Sequence, residues 1–225
     1  MLAGYSGASN DIDVRIQDRR KKCEGAGKSD CWKKLEREAI RVVKDEVRRQ
    51  GVVLTIQTRD RQIVFRSIPD SSPEPTSYYY IGDYAEIGYH LVERWKYFED
   101  LSYLLISKTT GKTTVLPEIP HVSPSSRHVV VVHGSEGAGG SPSQIAIWSV
   151  DPDRLTEQYR YLPKEYFLPS FKSWEIDDEV TLSAYTYSWA GRQCKSLGLV
   201  WYQLRKSGAS WNLTIDPNKA LPECK

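Results

Sequence analysis

Beyond residue 51 the apolar residues of this chain alternate with polar ones in short runs broken by turn formers. Before it, one stretch carries them at three- and four-residue steps. In that stretch Trp32, Leu35, Ala39, Val42, Val43 and Val47 form a single stripe, the mark of an amphipathic helix. Asp30 falls in the positive first turn, and Gly51 stands where a left-handed residue commonly ends a helix. The spacing predicts a helix over 29–51, preceded by a flexible polar segment over 1–28 that includes the basic run Arg19-Arg20-Lys21-Lys22.

After the helix, Val52–Ile56 and Gln62–Arg66 flank Arg59-Asp60-Arg61 and read as a hairpin. The Pro/Ser-rich connector 69–75 follows, too polar to pack and too rich in proline to be regular. Three longer units then recur, over 78–116, 118–162 and 171–215, each with runs for four short strands. The first unit holds Tyr78–Ile81, Glu86–Val92, Leu101–Ile106 and Thr113–Leu116. The second holds the run Val129–Val132 and then Gln144–Val150, and the third is built on Val180–Tyr185, Leu199–Leu204 and Trp211–Ile215. Four-stranded units of this length are what propeller blades look like in sequence.

The turns carry a resemblance. Val122-Ser123-Pro124-Ser125-Ser126-Arg127 before a valine run is similar to the turn-then-strand signature of TolB-like and WD-type β-propeller blades. Thr110–Leu116 resembles the outer-strand ending of such a blade, and Trp174–Val180 resembles a degenerate copy of the turn. The resemblance implies blade-like sheets across about 52–215 and no particular activity, because propellers serve many functions. Three units and one hairpin fall short of the four blades that closure needs. The expectation is therefore a mainly β domain over 52–225, propeller-like or strongly twisted and antiparallel, with the helix laid over an open edge to suppress edge-to-edge pairing.

Composition agrees with half-buried pleated surfaces: 14 Tyr and 7 Trp against a single Met among 225 residues. The formal charge of +2 gives no global support to nucleic-acid binding. No run of about 18 apolar residues occurs, so no transmembrane helix is expected. Cys23 and Cys31 lie near the start, Cys194 and Cys224 near the end, and no CxxC spacing links any two. Of the three pairings that four cysteines allow, Cys23–Cys31 with Cys194–Cys224 is the most economical, and it favours an oxidising, periplasmic or secreted setting over four free thiols. Leu2-Ala3-Gly4 resembles the start of a bacterial lipobox, although Tyr5 stands where the lipidated Cys belongs. A lipid anchor on a full-length precursor is a further expectation.

Catalytic signatures are absent. His133–Ser141 is Gly-rich but lacks the Gly-Lys-Ser/Thr ending of a phosphate loop, and Ser135 is not in a nucleophile elbow. His121, His128 and His133 share one hairpin at spacings poor for a metal, so no metal or cofactor is expected. The acidic group Glu175, Asp177, Asp178 and Glu179 reads as a solvated turn. Aromatics interleaved with charge are the better clue. Tyr79, Tyr84, Trp95, Tyr97 and Phe98 flank one hairpin and are the candidate partner-binding residues. The leading expectation is a non-enzymatic protein-binding protein of a bacterial envelope or secreted space, in a sharper form an inhibitor or immunity protein. The alternative is a hydrolase using Asp83, Glu86 or Asp178 with His90.

Overall fold

The computed structural model describes residues 28–97, 100–135, 141–189 and 192–223. Among them lie one helix, α1(Lys28–Val42), and four antiparallel sheets, each a meander whose chain neighbours are sheet neighbours. Sheet A holds β1(Val47–Gln50), β2(Val53–Gln57) and β3(Gln62–Arg66). Sheet B holds β4(Thr76–Tyr84), β5(Tyr89–Lys96), β6(Asp100–Ser107) and β7(Thr113–Leu116). Sheet C holds β8(His121–Val122), β9(His128–His133), β10(Gln144–Val150) and β11(Leu155–Tyr161). Sheet D holds β12(Phe167–Ile176), β13(Glu179–Trp189), β14(Arg192–Ser207) and β15(Ser210–Ile215). The mainly β class stands as expected, and three of the four sheets are four-stranded.

The helix does not run to 51. It ends at Val42, and a turn closed by Val43 N–H to Ile40 C=O and Val47 N–H to Val43 C=O leads into β1. Residues 47–50 pair with β2, Val47 opposite Ile56 and Gln50 opposite Val53, across a two-residue loop. Gly51 at its first position has φ 55°, the positive value that a primed hairpin turn demands there. It serves as a hairpin residue and not as a helix cap. A strand wins over helix because a helix this short is marginal alone, whereas β1 buries Val47 completely against Leu54 and Ile56. Val42, expected in the apolar stripe, is 82% exposed at the helix end. Leu35, Ala39, Ile40 and Val43 make the packed face instead.

By its contacts the chain divides into two compact units. The first contains α1, sheets A and B, and the turn 151–155. Its core joins Ala39, Val47, Leu54, Ile56, Tyr80, Val92, Leu104 and Ile106. The 151–155 turn supplies backbone acceptors: Tyr89 Oη donates to Asp151 C=O at 2.6 Å, Ser107 Oγ to Pro152 C=O at 2.7 Å, and Thr110 Oγ1 to Asp153 C=O at 3.0 Å. Strand β4 is an edge of sheet B, and α1 covers it. The cover includes two side chains. Glu36 of α1 accepts the Tyr80 N–H at 2.8 Å, Arg49 of β1 donates to the Tyr78 C=O at 2.6 Å, and the two are joined by a two-bond ion pair. An edge that would otherwise present unpaired backbone is thereby satisfied.

The second unit contains sheets C and D apart from that turn. Its core joins Val130, Val132, Ile145 and Ile147 of sheet C to Phe167, Val180, Leu182, Ala184, Leu204 and Trp211 of sheet D. The turn before β9 and the turn between β12 and β13 lie against each other here. Asp177 accepts from the Ser125 N–H at 2.8 Å and from Arg127 at 3.1 Å. Burial would raise the Asp177 carboxyl, but hydrogen bonds from Ser125, Arg127 and Ser123 outweigh it and hold the group below its ordinary value. Gly134, just past β9, has a packing reason: a Cβ there would sit 2.7 Å from the Leu168 side chain and 3.2 Å from the Pro169 carbonyl.

Candidate functional site

The five expected partner-binding residues separate on the structure. Tyr84 is a correction: it is only 1% exposed and belongs to the interior of the first unit. Strand β4 runs on past Ile81 to Tyr84, which pairs with Tyr89, and a bulge between Tyr80 and Gly82 turns Tyr80 and Tyr84 to opposite faces of the sheet, both of them buried. Tyr79 and Trp95 share one face of sheet B, since Tyr79 lies opposite Glu93 and Ser77 opposite Trp95. Both are half-buried. Tyr79 sits with its ring 6.3 Å from Trp32, and burial leads the effects that raise its phenol pKa. The Trp95 indole N–H donates to Glu93, whose side chain has no exposed surface. Tyr97 alone of the four described candidates is plainly exposed, at 52%, and it holds φ at 52°, a strained value for a bulky residue. Phe98 lies outside the described residues, as do Cys23 and Cys224. No cysteine among the described residues is a free thiol.

The alternative site does assemble in part. Asp83 lies opposite His90 on β4 and β5, and Glu46 and Lys108 complete a polar cluster around them. Lys108 Nζ bridges Asp83 at 2.6 Å and Glu46 at 3.1 Å. Burial alone would lower the lysine pKa, but these two carboxylates outweigh it and the pKa is raised. His90 Nε2 faces Glu46 at 3.4 Å, and its Nδ1 lies 3.0 Å from the Tyr80 hydroxyl. A carboxylate has no proton to give, so Nε2 carries the hydrogen and Nδ1 accepts from Tyr80. Burial, followed by the Lys108 charge, pushes His90 down to about 4 despite Glu46 and Asp83.

This is a neutral imidazole with no exposed surface. A base must reach the proton it removes, and this one is sealed among protein groups. Glu86 is exposed on the turn before β5 and does not join the cluster, while Asp178 belongs to the second unit, where it faces Lys206 at 3.9 Å. Of the two carboxylates of the first unit named with His90, Asp83 joins it and Glu86 does not. The histidines of sheet C are engaged separately: His121 stacks on Phe171 at 3.8 Å, His128 meets Trp211 edge-on at 5.6 Å, and His133 Nε2 lies 3.2 Å from the Ser141 carbonyl.

The outer face of sheet D is different. Along β13, Val180, Leu182 and Ala184 point into the core, so Tyr185 and Tyr187 face away from it. Tyr185 lies opposite Leu168 on β12 and Leu199 on β14, which places all three in one row across the sheet. The Tyr187 ring lies 5.6 Å from that of Tyr166, and Leu197 continues β14 one alternation beyond Leu199. Tyr166, Tyr185, Tyr187, Leu197 and Leu199 are each between 37% and 46% exposed. The next row across is Ser183 opposite Trp201, and the Lys172 and Lys219 ammoniums lie 5.8 Å and 4.9 Å from the Trp201 ring centre. These apolar residues stand open and contiguous on the outer face of the sheet.

The sequence holds a signal for this face, Tyr-x-Tyr at 185–187 and Leu-x-Leu at 197–199, but its runs read as inner strands with no choice of outer face. By contrast Tyr159, Tyr161 and Phe167, equally conspicuous in sequence, pack on the core of the second unit. No family model matches the chain, and no curated protein or solved structure matches it either.

Proposed function

We propose that this chain is a non-enzymatic protein-binding module of a bacterial envelope or secreted space, in its sharper form an inhibitor or immunity protein. The observation that carries this reading is the open apolar face of Tyr166, Tyr185, Tyr187, Leu197 and Leu199 on sheet D. Tyrosines on a strand lose little conformational freedom on binding and offer large amphipathic contact area, which suits them as anchors. The sealed histidine cluster of the first unit favours a structural role over turnover. Cys31 and Cys194, neither of them a free thiol, favour an oxidising setting with the pairs Cys23–Cys31 and Cys194–Cys224. On this reading the four meander sheets are blade-like, and Tyr97 is an outlying contact.

The test compares the parent with the Tyr185→Ser/Leu199→Ser variant as immobilised baits in envelope extract, with quantitative mass spectrometry. One stoichiometric protein retained by the parent and lost by the folded variant supports the reading. No retained partner, together with turnover of a model ester or glycoside that the His90→Gln variant loses, would overturn it.

A further inference from the structure

The charges bordering the sheet D face say what kind of partner it takes, an inference that rests on the binding reading above. At one end of the apolar patch, Lys172 and Lys219 are both exposed, and their ammoniums approach Trp201 from β12 and from the C-terminal tail. Cation–π contact with an indole restrains a lysine that would otherwise sample many rotamers. At the other end, beside Tyr166, the turn before β12 carries Lys164 and Glu165, both exposed and of opposite charge. Asp216 stands opposite Trp201 in the same row, but it is only 4% exposed and accepts from the Asn218 N–H at 2.9 Å, so it offers no open carboxylate there. The remaining carboxylates of sheet D are further off. Glu175 accepts from Ser173 and Thr181, and Glu179 pairs with Arg205, both beyond the Trp201 row.

We infer that the outer face of β12–β14 docks a protein segment with an aromatic or aliphatic centre and carboxylates at its margin. The apolar centre covers Tyr185 and Leu199, and the carboxylates meet Lys172 and Lys219. These charges argue against a second copy of this chain as the occupant. In a twofold pairing on this face the two lysines meet either each other or the Lys164–Glu165 turn, which carries no net negative charge to answer them. Restrained charges at one end of a hydrophobic patch also fix the orientation of the incoming segment, which a bare apolar surface would not do.

The experiment pans random twelve-residue peptides displayed on phage against the full chain, then measures the best peptide by fluorescence anisotropy. Enriched peptides should combine aromatic or aliphatic residues with Asp or Glu. Their affinity should fall at least tenfold for Lys172→Glu/Lys219→Glu, be lost for Tyr185→Ser/Leu199→Ser, and weaken with added salt. Melting curves establish that both variants fold, and the lysine pair lies on the surface, where folding is least affected. Peptides that bind the Tyr185 face but carry no carboxylates, or that bind the lysine-reversed variant equally well, overturn this inference and leave the binding reading intact. If panning enriches nothing, the binding reading falls and this inference with it. Sedimentation showing a dimer that Tyr185→Ser disrupts would make a second copy the occupant. Retention on 3:1 phosphatidylcholine–phosphatidylglycerol vesicles through Tyr185 would make it a lipid surface. Either result refutes the acidic protein partner.

Discussion

Replacing Glu36 with Ala tests whether two side chains hold the edge of sheet B. The Glu36 carboxylate is nearly inaccessible and has three partners: the Arg49 Nε at 2.9 Å, a second guanidinium nitrogen, and the Tyr80 N–H at 2.8 Å. Alanine leaves a largely buried guanidinium without its anion, and removing one partner of a buried pair costs about 3–5 kcal/mol. It also orphans a buried backbone donor, a loss of about 1–3 kcal/mol that overlaps the first and does not simply add to it. We expect a total near 4 kcal/mol, a large share of the roughly 5–15 kcal/mol that holds a domain folded. Glu36→Gln keeps one oxygen for the Tyr80 N–H but removes the anion and turns an NH2 donor toward Arg49, so a loss of about 2–4 kcal/mol is expected. Urea unfolding of Glu36→Ala, Arg49→Met and the double variant gives the coupling, expected at about 1–3 kcal/mol. A Glu36→Ala variant within about 0.5 kcal/mol of the parent, or a coupling near zero, would refute the clamp.

Three further outcomes follow from the same structure. His90 sits at about 4 when folded against an ordinary 6.5, so between these values the unfolded chain binds a proton that the folded one refuses. Its contribution is complete above pH 6.5 and falls as pH drops toward 4, by up to about 3 kcal/mol, and denaturation at several pH values should show a slope that His90→Gln flattens although Glu46, Asp83 and Lys108 remain. Gly134→Ala should destabilise by about 1–3 kcal/mol, because its methyl would stand 2.7 Å from the Leu168 side chain, and an unchanged melting temperature would contradict that packing. Non-reducing peptide mapping should recover Cys23–Cys31 and Cys194–Cys224, and closing the second loop should contribute roughly 3–4 kcal/mol on the chain-entropy model, whereas crossed pairs would undo the proposed arrangement.

How far the sequence can be read depends on which signals are local. The hairpin of β2 and β3, the strands of sheet B, and β9, β10 and β13–β15 follow from alternation and turn residues, which act within a few positions, whereas β11 and β12 are not placed by any such run. Strand β1 is hidden because Val43 and Val47 satisfy a helical step, and Gly51 needs positive φ both as a helix cap and as a hairpin residue. One glycine supports two structures, and tertiary burial of Val47 decides between them. Tyr84 is misplaced because the strand run reads as ending at Ile81, whereas β4 continues to Tyr84 and buries it opposite Tyr89. The His90 cluster is legible only in part. Glu46 and Lys108 lie on different elements, and no spacing rule joins them. The sheet D face is visible as alternating aromatics, but the choice between a buried and an open face depends on what packs against the sheet.

The turn at 151–155 has a bearing on how the chain can be cut. Its carbonyls are the acceptors for Tyr89, Ser107 and Thr110, yet it is encoded after β8, β9 and β10. A fragment ending at residue 119 therefore carries the two sheets of the first unit with three hydroxyls deprived of their acceptors. During synthesis from the N-terminus, that unit waits for residue 155 before it is complete. Contiguous expression fragments are the wrong tool for isolating it, and a graft that appends 151–155 through a short linker is the right one.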